Sequence, residues 1–220
     1  MTVSTGILCQ KLMIKSPLIL AVILFGLLHQ SNAQKTKTFY KSGILKSSGM
    51  RDNNGRQGVW KFYYPNGKIN NIERYIRGEL HGVSYSFFPD STLKSIENWK
   101  SGILEDSAFY FFDSGVLKRK GLYRSGLYEG LWLSYRDNGI LKSEGSYHLG
   151  LPNGEWKVYS EQGVLIQQGN YLNGKEEGDW IFYDDNGLPA FQGKYKGGKE
   201  TGPWYKISKK GKKKLYETYP

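Results

Sequence analysis

Glycine recurs at a fixed interval along most of the chain, and that interval limits the possible folds more than any other feature. It stands at Gly78, Gly102, Gly126, Gly150, Gly174 and Gly198, each step being 24 residues. An aromatic keeps the same phase at Tyr75, Trp99, Tyr123, Tyr147, Tyr171, Tyr195 and Tyr219. A second glycine series runs through Gly58, Gly82, Gly130, Gly154, Gly178 and Gly202, and tryptophan follows at Trp60, Trp132, Trp156, Trp180 and Trp204. Self-similarity of this kind means one supersecondary unit stacked on copies of itself, each burying the face its neighbour leaves open. Such an array offers a surface rather than a central pocket. The phase divides residues 34–220 into units starting near 34, 58, 82, 106, 130, 154, 178 and 202, with no Pro- or Ser-rich linker between them.

The unit from Gly154 to Gly174 shows what is being repeated. Residues Trp156 to Tyr159 are aromatic and β-branched in character and run into a polar turn at Gly163, the pattern of a strand entering a hairpin. The same turn reads Pro65-Asn66-Gly67, Asp137-Asn138-Gly139 and Asp185-Asn186-Gly187. Pro or Asp starts a type I turn, and glycine supplies the left-handed residue after it. A three-residue loop places Tyr159 opposite Leu165, Tyr63 opposite Ile69 and Tyr135 opposite Leu141. A two-residue loop would shift the register by one and set Trp156 against Gly169, but it would also draw the prolines at 65 and 89 into a paired ladder. Gly121, Gly145, Gly169 and Gly193 mark places where a bulky group, an aromatic of the same or the next hairpin, lies close to the backbone. No stretch shows sustained helical periodicity. The expectation is an all-β fold: an elongated, twisted, single-layer antiparallel sheet of stacked hairpins.

Ahead of the repeats, Lys11 and Lys15 precede the apolar run Leu18 to Leu28, and Ser31 and Ala33 supply small residues. That order predicts a signal peptide over residues 1–33, cleaved after Ala33, and an exported product that is periplasmic, outer-envelope associated or secreted. The run is shorter than the roughly 20 residues a membrane-spanning helix needs. The single cysteine, Cys9, lies upstream of the run, so the mature part has neither a disulfide nor a thiolate metal site.

The string Gly-x-Trp-x-x-Tyr, then Asn-Gly-x-Leu, then Gly-x-Tyr-x-x-Gly, as in Gly130 to Gly150, resembles the bacterial variant of the MORN repeat. The resemblance covers essentially all of residues 34–220. It implies a ribbon of β-hairpins with a non-catalytic binding or scaffolding role, in a class that includes proteins labelled as antitoxin components of toxin–antitoxin modules. No residue-level site carries over from it.

The inventory of reactive groups points away from an enzyme. His81 and His148 occupy different columns of the repeat and cannot converge on a metal or a nucleophile, so they read as solvated loop residues. Glu176, Glu177, Asp179, Asp184 and Asp185 lack the spacing of a calcium loop and read as turn charges. No catalytic, metal or cofactor residue is assigned.

Two surface features remain. Lys209, Lys210, Lys212, Lys213 and Lys214 form a basic terminal patch, read as edge protection first and as a phosphate-attracting surface second. Over residues 84–112 the pattern breaks, with Ser84 and Ala108 in the tryptophan column, Asp106 for a glycine and Ser91 for the turn glycine. Phe87, Phe88, Phe109, Tyr110, Phe111 and Phe112 crowd the same strands and form the candidate interaction patch. The resulting expectation is an exported, non-enzymatic scaffold for a protein partner, antitoxin-like, immunity-like or serving envelope assembly. The alternative is a peripheral binder of anionic membrane or envelope polysaccharide, and nucleic acid is not expected as a partner.

Overall fold

The computed structural model describes residues 33–220. The leader expected over residues 1–33 lies, up to Asn32, outside the described residues. Among the described residues, seventeen strands build one antiparallel sheet that runs in chain order from Gln34–Phe39 to Lys213–Tyr219, with Glu79–Leu80 and Gly82–Phe87 both pairing with Ile69–Ile76. The sheet is open: Gln34–Phe39 pairs with Leu45–Asp52, and at the other end Lys213–Tyr219 pairs with Lys199–Ile207. Among the described residues there is no helix, as the missing helical periodicity predicts.

Two kinds of turn alternate along the two long margins of the sheet. On one margin, Ser160 N–H donates to Val164 O at 2.8 Å and Gly163 N–H to Ser160 O at 3.2 Å, with Gly163 at φ 84°. This is the predicted three-residue loop, and it recurs with glycine at Gly67, Gly139 and Gly187. Tyr159–Leu165, Tyr63–Ile69 and Tyr135–Leu141 are the pairs next to it. The ladder then slips by one residue, so that Trp156 and Gly169 are also directly paired. The two registers posed as alternatives therefore coexist, because one unpaired residue, Ile166 in this unit, separates them as a β-bulge.

On the opposite margin the units are joined by two-residue turns in which both residues take positive φ, the type I′ geometry that matches strand twist. Gly78, Gly102, Gly126, Gly150, Gly174 and Gly198 hold the second position. The first is Arg77, Ser101, Ser125, Leu149 or Asn173, at φ between 49° and 51°, or Gly197. A side chain from one unit back caps the N–H of this strained residue: Gln57 on Arg77, Glu105 on Ser125, Glu129 on Leu149, Asn153 on Asn173 and Glu177 on Gly197. The second glycine series, read from sequence as opening each unit, lies inside strands. Pairing of Leu127–Tyr135 with Leu117–Arg124 skips from Glu129 to Leu133 around Gly130, which sits at φ 64°. Asp106 keeps the same geometry at φ 69°, and Ser91 keeps the turn geometry at φ 87°, so both departures from glycine preserve the backbone they interrupt.

Burial is concentrated on one face. Trp60, Trp132, Trp180 and Trp204 are buried there with Tyr75, Tyr123 and Ala108. Each indole covers a glycine of the preceding strand: Trp60 over Gly49, Trp132 over Gly121, Trp156 over Gly145, Trp180 over Gly169 and Trp204 over Gly193. The occupant of the bare backbone is thus the aromatic of the next hairpin. Between the indoles stand the tyrosines, edge to face. Centroid separations are 5.5 Å for Tyr147–Trp156, 5.4 Å for Trp156–Tyr171, 5.3 Å for Tyr171–Trp180, 5.7 Å for Trp180–Tyr195 and 5.2 Å for Tyr195–Trp204. Contacts of this geometry contribute about 0.5–1.5 kcal/mol each beyond area burial. They carry cohesion from unit to unit without a second layer.

Candidate interaction surface

Down the middle of the buried face, glycine and tryptophan alternate strand by strand, and the alternation fails in one internal stretch and again at the end, where Glu217 faces Trp204. Where the sequence Gly49, Trp60 would continue as glycine, tryptophan, glycine, tryptophan, it reads Glu73, Ser84, Glu97, Ala108 before Gly121 and Trp132 restore it. Direct pairs are Trp60–Glu73, Ser84–Glu97, Glu97–Ala108 and Ala108–Gly121. The bulk has moved one strand back: a small residue replaces the indole, and a glutamate replaces the glycine it would have covered. Volume is roughly exchanged, which is the kind of core change a fold tolerates best. The chemistry is not preserved, because two carboxylates now stand in an aromatic floor.

Arginines stand near those carboxylates without pairing to them: Arg56 lies over the rings of Trp60 and Tyr75, and Arg119 over that of Tyr110. Glu73 accepts from Asn71 Nδ2 at 2.7 Å and from the hydroxyl of Tyr75, which in turn accepts from Arg56 at 3.0 Å. Burial, and then the bond to Glu73, push the Tyr75 phenol up to about 12. Burial also raises the Tyr110 phenol, with its bond to Tyr123 and the neighbouring charge of Glu97 acting in the same direction. Among the described residues neither Glu73 nor Glu97 is ion-paired. Between them Ser84 is 5% exposed, and its Oγ has no hydrogen-bond partner.

A second feature lies on the margin of two-residue turns. Ile103 packs beside Gly126, Leu127 beside Gly150 and Leu151 beside Gly174, so that an aliphatic group from each unit rests against the next turn. All three are nevertheless 46–50% exposed, and Leu149 and Leu172 on the same margin are 62% and 53% exposed. Leu122 and Leu131 add exposed aliphatic surface on the face turned away from the indoles. Isolated exposed leucines are ordinary, but a row in register along one margin is not.

The model of the MORN repeat variant matches residues 56–76, 128–148 and 152–173. The chain carries MORN-variant repeats in these segments. Each matched segment is a hairpin around a three-residue turn, and the one at 128–148 holds Trp132, Asn138-Gly139 and Tyr147. MORN repeats are generally linked to protein or membrane binding. No curated protein matches this MORN-repeat chain. Among solved structures, the TcdB2-TccC3-Cdc42 crystal structure shares 11% identity over 78% of this chain and 12% of that one, at a TM-score of 0.22. TcdB2-TccC3 shares 11% over 79% of this chain and 13% of that one, at 0.18. A Bacteroides fragilis protein of unknown function shares 10% over 86% and 91%, at 0.11. The MORN-repeat chain thus spans about an eighth of the first two, at 12% and 13%.

Strand alternation divides the aromatic patch expected from the sequence. Tyr110 lies on the indole face, paired across the ladder with Ser95 and Arg119, and the Arg119 guanidinium sits 4.3 Å from its ring centroid. Phe109, paired with Ile96 and Lys120, points to the opposite face, as do Phe87 beside Leu93 and Phe111 beside Leu117. Phe88 and Phe112 start three-residue turns, with Lys94 and Lys118 over their rings at 5.8 Å and 5.3 Å. Of the lysines, Lys213 and Lys214 are on the last strand opposite Ile207 and Lys206, and Lys209 and Lys210 lie in the turn before it. His148 contacts Glu129 at 3.2 Å, and among the described residues no group of acids, histidines or cysteines is arranged to hold a metal. Sequence reasoning missed the notch, although Glu73 and Glu97 occupy the same column as Gly49, Gly121, Gly145, Gly169 and Gly193. Reading that column against the tryptophan column would have found it.

Proposed function

We propose that this protein is an exported, non-enzymatic scaffold that binds a protein partner, as an envelope assembly or immunity-like component. The observation that carries the reading is the exposed aliphatic margin formed by Ile103, Leu127, Leu149, Leu151 and Leu172. Cohesion of the ladder comes mainly from the indole face, and the half of the leucine row left exposed beyond its contact with the next turn suits an apolar strip on another polypeptide. An anionic membrane or polysaccharide would instead engage the lysines at 209–214, whose turn stands on the opposite margin.

A photo-cross-linker placed at residue 127, followed by mass spectrometry of adducts in the native envelope, tests the proposal. A discrete protein adduct that disappears on Leu151→Ser is the expected result. Adducts to lipid or glycan, or sedimentation with anionic vesicles that Leu127→Ser does not weaken, would replace it with the membrane or polysaccharide reading. Export is tested by N-terminal sequencing of the fractionated protein, with residue 34 expected first.

A further inference from the structure

We propose that the notch at Glu73, Ser84 and Glu97 is a seat for a basic side chain of a polypeptide, an arginine or lysine held between the two carboxylates above the serine. The inference rests on the protein-partner reading and specifies one contact within it.

Packing alone does not account for the notch. Exchanging indole and glycine for a small and a larger residue requires volume on the second strand, and leucine or methionine would supply it without charge. Glutamate at both positions instead places two carboxylates on a half-buried aromatic face without a direct ion pair, since Arg56 is turned onto Tyr75 and the neighbouring rings rather than onto Glu73. Ser84 Oγ, buried and without a partner, leaves a further polar group unsatisfied between them.

The dimensions and the surroundings fit an organic cation. Glu73 and Glu97 are two ladder steps apart, about 10 Å between backbones, so their side chains can approach a planar guanidinium or an ammonium from both sides. Tyr75 and Trp99 stand two residues along the same strands on the same face, and aromatic faces attract such cations. Two carboxylates do not make a metal site, and no group of three suitable ligands exists among the described residues. The chain as a whole carries a formal charge of +11, so the notch is a local reversal of sign on a basic molecule. A basic peptide is repelled by most of the surface and drawn to this point.

The test is isothermal titration of the purified full chain with acetyl-tetraarginine amide, using acetyl-tetraglutamine amide and spermidine as controls. Arginine peptide should bind, with at least a tenfold loss of affinity in the Glu73→Gln/Glu97→Gln double variant. Glu176→Gln/Glu200→Gln, which changes carboxylates elsewhere on the same face, should bind like wild type. Glu73→Gly/Ser84→Trp restores the regular column, and should keep the circular dichroism of the fold while losing the peptide. The proposal is overturned by equal binding in the double glutamine variant, by tetraglutamine binding equally well, or by spermidine binding as tightly as the peptide. Absence of binding to wild type would also overturn it, and would leave a protein adduct at residue 127 standing as independent support for the scaffold.

Discussion

Trp180 occupies the space that a side chain on Gly169 would need, with its indole lying against the bare backbone of the preceding strand. The same residue is 0% exposed, so both partners are held by one contact. Trp180→Ala should cost about 3–5 kcal/mol, the range for removing a large buried aromatic. Gly169→Ala should cost about 1–3 kcal/mol by overpacking. Urea unfolding monitored by circular dichroism measures both. An alanine at residue 169 without effect would show that the indole moves freely aside.

At the interrupted part of the row the sign should invert on combination. Ser84→Trp alone drives an indole against Glu73, and Glu73→Gly alone leaves an uncovered backbone. The two together recreate the Trp60–Gly49 relationship. A double-mutant cycle should return a favourable coupling of at least about 1 kcal/mol. Additive effects would mean that residues 73 and 84 do not share space.

Leu149 holds φ 50° in a two-residue turn, a conformation that costs an L-residue about 1–2 kcal/mol. Leu149→Gly should therefore raise stability, by about 1 kcal/mol once the larger entropy of the unfolded glycine chain is set against it. Glu129→Ala, which removes the acceptor of the Leu149 N–H at 3.2 Å, should lower it. Thermal melts of the two variants should move in opposite directions.

Alkali should loosen the ladder. Tyr75, Tyr123, Tyr159 and Tyr171 have phenols pushed from 10.0 to about 12, with burial as the first cause in each. In the unfolded chain these groups ionise near 10.0, while in the fold they hold their protons to about 12. Their contribution is therefore complete below pH 10 and is lost as pH rises through 12. The melting temperature should fall steeply across that window, with phenolate absorbance rising together with unfolding. A melting temperature constant to pH 12 would contradict the assignment.

The repeat was legible because glycine and tryptophan are each constrained for a physical reason, and both reasons recur every 24 residues. The three-residue turns were legible from Asn-Gly and Pro-Asn-Gly, whose conformational preferences are local. Most of the two-residue turns were not, since Arg77, Ser101, Ser125 and Leu149 carry no left-handed preference, and Arg77, Ser125 and Leu149 are held by caps from the preceding unit. The register was only half legible: the pairs Tyr159–Leu165 and Trp156–Gly169 each follow from a local rule, and the bulge at Ile166 that satisfies both does not. The aromatic patch failed to stay together because adjacent residues such as Phe109 and Tyr110 must face opposite sides of a strand. The leucine margin escaped notice since its members are single residues one unit apart, brought into line only by the stacking.

Because the strands are hydrogen-bonded only to near neighbours in the chain, nothing among the described residues clamps distant parts of the ladder together. Tension applied between its two ends would meet one hairpin at a time, and each would peel away under a modest force and re-form when slack returned. In a molecule wired in this manner, pull is felt first at the terminal strands and last in the middle.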